Sequence, residues 1–210
     1  MFYKLVGCMR FEKIEMRTGD IVLMPFPENY FDCFRLIASD NFRKTGYVDS
    51  CWKVIRMFFR PDKYSVLFLF RLCQYRGLLF RLFCHLYKRS CKTANVYLPP
   101  MTRVGYGLDL GHEMSVVING GTIIGNNVSI AHFVSIGTNH DTPAIIGDNV
   151  YVGPNSNVIE DVNIGSKVTI GAGTVVTKDI PSNATVVGCP AKVINTDNPA
   201  RYIKNPYPIP

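Results

Sequence analysis

Three of the four histidines in the chain, His112, His132 and His140, lie in its second half. Imidazole is the side chain whose ordinary pKa falls near neutrality, so each of them could take up or return a proton at physiological pH. Three imidazoles also suffice chemically for a zinc site. A lone polar histidine at a corner is more often simply solvated. The seven cysteines add no such chemistry: they form an odd set without a CxxC pair, which indicates neither a disulfide framework nor a zinc knuckle. They read as reduced thiols, mostly packing groups.

The histidines sit on a six-residue period. Hexads begun at Val104, Leu110, Val116, Ile124, Ile130, Ile136, Ile146, Val152, Val158, Ile164, Ile170 and Val176 all have an aliphatic residue in first place. Any position is apolar only about half the time, so composition does not produce this pattern. Eight of these hexads have glycine second, and small or apolar residues recur fifth (Val128, Val134, Val150, Val162, Val168, Thr174). Short strands that point an aliphatic residue inward and then turn a tight corner build a solenoid of triangular coils. Two slips interrupt the period, one of two residues placed around Gly120 to Ile123 and one of four between Thr138 and Ile145. On this reading His112 takes an outward corner place with His132 above it one coil later, and Pro154 and Ala172 continue the column. His140 falls in the four-residue insertion, which must bulge from a corner.

The first half has another texture. Residues 1–100 carry a net charge of +9 and residues 101–210 a net charge of −2. The positive charges are spread along apolar helical sequence with no DNA-binding motif, so no nucleic-acid partner is expected. Pro61 and Asp62 suit the first turn of a helix from Tyr64 to Arg89. On it Arg71, Gln74, Arg81, His85, Lys88 and Arg89 share one polar arc, and Gly77 is a point at which it bends or splits. Its apolar face is expected to pack on the molecule or on a partner subunit, with peripheral membrane attachment as the alternative. No run of 18 uncharged apolar residues and no signal-peptide pattern is present, so a cytoplasmic protein is expected. The segments expected are 1–30, unassigned; 31–97, helical; 98–194, solenoid; and 195–210, an extended tail or strap.

Several stretches are more specific than the period. They are Gly105-Tyr106-Gly107-Leu108 running into Gly111-His112, Val116-Val117-Ile118-Asn119, Ile146-Gly147-Asp148-Asn149-Val150, Ile170 to Pro181, and Gly188-Cys189-Pro190-Ala191-Lys192. Together they resemble the hexapeptide-repeat acyltransferases, in the serine acetyltransferase-like branch, over about residues 31 to 195. Phe34 to Thr45 looks like the helical lead-in of that branch. The resemblance implies a mainly β protein, a left-handed parallel β-helix with an N-terminal helical region, usually a homotrimer with sites between subunits; the helical half could extend this toward a hexamer. It implies acetyl-CoA as co-substrate, no metal, and His112 as general base. His140 is the second catalytic candidate. His132, Gly153, Pro154, Gly171, Ala172, Thr177 and Lys178 are candidates for holding the CoA arm, and Glu113, Asn119 and Asp141 for the acceptor. Gly153 and Gly171 also have the plainer reading of corner glycines.

Two departures from that branch stand out. Where its members support the base with an aspartate fifteen residues earlier, this chain has Tyr97. Where they carry an Arg-His-Pro loop, this chain has Thr138-Asn139-His140-Asp141-Thr142-Pro143, without arginine. Glu113, Asp109 or Asp141 could orient the imidazole instead. With the cation for an amino-acid carboxylate gone, an uncharged sugar hydroxyl of a surface polysaccharide is the expected acceptor, and L-serine the alternative. A zinc hydratase built on His112, His132 and His140, and a catalytically silent scaffold, are the readings from other classes.

Overall fold

The computed structural model describes residues 9–47, 65–111, 114–139 and 142–209. Within the unassigned N-terminal stretch it shows an antiparallel hairpin, β1 (Arg10–Glu15) and β2 (Ile21–Phe26). Helix α1 (Tyr30–Thr45) follows. It starts at Asn29, whose side chain accepts the Asp32 N–H, and stops at Gly46, which takes the left-handed conformation with φ 72°. Gly77 marks a split: α2 (Ser65–Leu72) ends before it and α3 (Phe80–Ala94) begins after it. The expected first turn at Pro61 and Asp62 lies outside the described residues.

From Tyr97 onward the chain winds into a left-handed parallel β-helix with three faces. The first face stacks β3 (Arg103–Val104), β6 (Ile123–Ile124), β9 (Ile145–Ile146) and β12 (Asn163–Ile164). The second stacks β4 (Asp109–Leu110), β7 (Ser129–Ile130), β10 (Tyr151–Val152), β13 (Thr169–Ile170) and β15 (Thr185–Val187), with β16 (Lys192–Asn195) antiparallel at its end. The third stacks β5 (Val117–Ile118), β8 (Ser135–Gly137), β11 (Asn157–Ile159) and β14 (Val175–Val176). The twelve aliphatic residues that open the hexads are all 2% exposed or less, so the period does describe the core.

One part of the register differs from the expected one. Ile118, not Val116, aligns with Ile136, and Val117 aligns with Ser135. The two-residue enlargement therefore falls between Leu110 and Ile118, and not after Asn119. Val116 is equally buried but fills an inner corner place beside Val134. Two apolar residues two apart made either assignment satisfy the period; only the strand pairing separates them. The four-residue enlargement between Ile136 and Ile146 falls where expected. A shortening follows, because Ile170 pairs with Val186.

Two of the three faces are covered by the chain itself. The hairpin lays Met16, Val22 and Met24 over Ile123 and Ile145 of the first face. The tail crosses the second, with Tyr202 against Tyr151 at 4.9 Å. It goes on to stack Tyr207 on Tyr106 at 5.6 Å, held by two hydrogen bonds between the Tyr207 backbone and the Asn127 side chain. The tail is thus a strap. Deleting residues 199–210 should lower stability by about 1–3 kcal/mol, since it strips a packed tyrosine and the carbonyl partner of Arg43. An unchanged urea midpoint would show that the strap carries no load.

The helices dock through two arginines. Arg71, expected on the polar arc, is fully buried. Its guanidinium donates to both oxygens of Asp40 at 2.8 Å, and to the carbonyls of Val104 and Gly105 at 2.8 and 2.7 Å. Arg43 donates to Gly107 O, Ser129 Oγ and Lys204 O, each at 2.8 Å. Coil carbonyls that the β-ladder leaves open at the first corner need donors, and only a side chain with a forked set of N–H groups serves several at once.

Candidate active site

The corner between the second and third faces carries the predicted column. His132, Pro154 and Ala172 stand one above another: the Asn155 N–H donates to His132 O at 3.1 Å, and the Gly173 N–H to Pro154 O at 2.9 Å. Phe133, Asn155 and Gly173 turn the corner with φ near +60° (58°, 58° and 68°). The His132 ring is half-buried and meets Phe133 edge to face at 5.2 Å. Going up the column the side chains shrink from imidazole to pyrrolidine to methyl, and Gly173 has open space where a Cβ would stand. A slender chain could lie along such an edge.

Gly153 is there for space. A Cβ on it would come within 2.7 Å of Ile170 O and 2.8 Å of Ala172 N in the next coil. Gly153→Ala should therefore cost roughly 1–3 kcal/mol by forcing coils apart, read as a drop in melting temperature; no drop would mean that the coils can separate freely. Gly171 is less confined by backbone and would chiefly meet the Val187 side chain.

Asn119, Thr177 and Lys178 occupy a different corner, between the third face and the first. Asn119 Oδ1 already accepts the Gly121 N–H at 2.8 Å, so its acceptor atom serves the turn. Thr177 and Lys178 are exposed. Next to them Asp179 accepts from Arg17, whose hydrogen bonds hold its carboxyl below the usual carboxylate range. The candidate residues thus flank the third face on both sides instead of forming one cluster on one chain.

His112, Glu113, His140 and Asp141 lie outside the described residues. Tyr97 is 61% exposed and forms the first rung of the third face, bridging Val117. Among the described residues, no group of three or more His, Cys, Asp or Glu is arranged to hold a metal ion, and no helix is long and apolar enough to cross a membrane.

Sequence reasoning missed a concavity beside the first rung of the third face. A cleft of about 850 Å³ opens between α3 and the first coil, reaching Tyr97, Ser115 and Val117. Its signal was the spacing of His85, Lys88, Arg89 and Lys92, one stripe of α3, which the sequence presents simply as a polar face.

Comparison with known proteins agrees with this geometry. Residues 143–178 match the family described as bacterial transferase hexapeptide (six repeats). The serine acetyltransferase of Buchnera aphidicola (subsp. Schizaphis graminum) is 37% identical over 120 residues, 55% of this chain and 46% of that protein. The solved serine acetyltransferase of Neisseria gonorrhoeae in complex with serine is 30% identical, with a TM-score of 0.60 over 77% of this chain and 69% of that one. The chain belongs to the hexapeptide-repeat acyltransferases, in their serine acetyltransferase-like branch. The solved serine acetyltransferase of Brucella abortus in complex with coenzyme A is 25% identical, with a TM-score of 0.60 over 79% of this chain and 67% of that one. This acyltransferase chain spans about half the length of the curated relatives it matches. The relatives named here are serine acetyltransferases, and none of them is described as a polysaccharide O-acetyltransferase or a zinc hydratase.

Proposed function

We propose that the chain transfers the acetyl group of acetyl-CoA to a hydroxyl, with L-serine as acceptor. The observation that carries this is the combination of a hexapeptide β-helix with relatives named as serine acetyltransferases, one solved with serine and one with coenzyme A. A neutral imidazole at His112 takes the hydroxyl proton as the oxygen attacks the thioester carbonyl. The C–S bond breaks, and the imidazolium returns its proton to the departing CoA thiolate. His140 is proposed as the second catalytic histidine, and Glu113 or Asp141 as the carboxylate beside the base. The column of His132, Pro154 and Ala172, with Gly153 and Gly171 beside it, fits the slim pantetheine arm, because small side chains leave that edge open. Thr177 and Lys178 would meet the arm from a neighbouring prism.

That neighbour follows from the faces. The third face is the one the hairpin and tail leave uncovered, and it is flanked by both candidate corners. Val117, Phe133 and Ile159 on and beside it are 48%, 50% and 41% exposed. Three copies joined along this face would bury those residues and bring the two kinds of corner together, which supports a homotrimer.

Labelled acetyl-CoA offered with L-serine and, separately, with a panel of neutral sugars tests the reading. Label is expected on serine; efficient labelling of a sugar with none on serine would return the sugar as acceptor.

A further inference from the structure

Between Asp62 and Asp109 the chain contains no aspartate or glutamate, and α3 stands in the middle of that stretch. Its inner side packs on the core through Phe83, Cys84, Leu86, Tyr87 and Cys91. On the other side Arg81, Leu82, His85, Lys88, Arg89 and Lys92 are all exposed, and they share one arc of about 120° at the helical repeat. Among the described residues none of the four Lys and Arg side chains on this arc has an acidic partner.

The stripe begins in leucine. Leu78, in the turn before α3, is 96% exposed, and Leu79 and Leu82 are 44% and 53% exposed. A single exposed leucine means little, but three within five residues, at the head of a cationic stripe, make an apolar tip. That tip is held in place. The Leu79 N–H donates to Tyr30 Oη at 3.0 Å, and Tyr30 packs edge to face on Tyr75 and Phe83 at 5.0 and 5.6 Å. The first residue of α1 thus anchors the turn that shows these leucines to water.

We infer that this face of α3 lies on an anionic lipid bilayer, with Leu78, Leu79 and Leu82 dipping into the acyl boundary and Arg81, Lys88, Arg89 and Lys92 among the acidic headgroups. Both halves of the pattern are needed for that choice. A surface that changes from charged headgroups to hydrocarbon over a few ångströms accepts cationic and apolar side chains from one helix face together. A nucleic acid would satisfy the cations and leave the leucines in water. A second copy docking through the same face would set these cations against their own like across a two-fold axis. At 15 residues α3 is too short to span a bilayer, so it lies along the surface.

Sedimentation of the full chain with lipid vesicles tests this. Binding is expected to vesicles of equal parts phosphatidylcholine and phosphatidylglycerol and not to phosphatidylcholine alone, and it should fade as salt screens the headgroups. Arg81→Gln, Lys88→Gln, Arg89→Gln and Lys92→Gln combined should weaken it by more than about 100-fold, at roughly 5-fold per cation. Arg81→Lys with Arg89→Lys, which keeps the charge, should retain it. Leu78→Ser, a change at an almost fully exposed position, should weaken it roughly 10-fold through lost apolar insertion. Unchanged melting temperatures would certify the variants as folded. No binding to the mixed vesicles, equal binding to phosphatidylcholine alone, or binding that survives the glutamine variant overturns the inference. So does tighter binding to a short DNA duplex than to the vesicles, which would give the face to a nucleic acid. A fall in the oligomeric mass of the glutamine variant without lipid would give it to another subunit, with the same consequence.

Discussion

Replacing His112 by alanine is expected to lower kcat by roughly 100- to 10,000-fold, the usual contribution of a positioned general base. The KM for acetyl-CoA should change little, because the proposed arm lies on the column above, along Pro154 and Ala172. Melting temperature should hold, since the core of these coils is built by aliphatic residues such as Leu110 and Ile130, paired across adjacent coils. The parallel change His132→Ala distinguishes two roles. His132 is half-buried and in ring contact with Phe133, so its loss should act mainly on acetyl-CoA binding and on stability. Should His132→Ala abolish turnover while His112→Ala retains it, the base has been assigned to the wrong coil.

Breaking the Arg71–Asp40 pair is expected to have the largest effect on folding. Both side chains are buried, and Arg71 bridges α1, α2 and two carbonyls of the first coil. The Leu108 N–H donates to the same Asp40 carboxylate at 2.8 Å. Arg71→Met leaves that carboxylate uncompensated, which should cost about 3–5 kcal/mol, or roughly 6–20 °C in melting temperature for a chain of this size. Combining Asp40→Leu with Arg71→Met should cost less than the two single losses added together, because no lone charge then remains. A fall of less than about 2 °C for the single variant, on the same scale, would mean that the helices are held to the solenoid by something else. By comparison Arg17 with Asp161 and Asp179 is an exposed trio, and Arg17→Ala should change stability by about 0–1 kcal/mol. The same residue type at two levels of burial thus gives two very different outcomes.

Much of the solenoid could be read from residue order, because a period that repeats every six positions is a local property. Inward aliphatic residues such as Ile130, Val152 and Ile170 must recur at that spacing whatever else the molecule does. The split at Gly77 was legible for a similar reason, since glycine weakens a helix by its own conformational freedom. The column from His132 through Pro154 to Ala172 followed from counting along the coils.

Other features depended on partners distant in the chain. Arg71 belongs to the polar arc by angle, yet its environment is set by Asp40 and by coil carbonyls some thirty residues away in either direction. The place of the first enlargement rested on choosing between Val116 and Ile118, both apolar, and only the ladder to Ile136 makes that choice. The hairpin has no strong period, because its residues are selected to cover Ile123 and Ile145 and not to bury each other. The order of residues by itself determined that this chain coils into a β-helix and that His132, Pro154 and Ala172 share one corner, since both follow from short-range spacing. Tertiary structure alone decided which face stays open and which helix places its cations beside the first rung of that face, because those depend on what the hairpin, the helices and the tail cover.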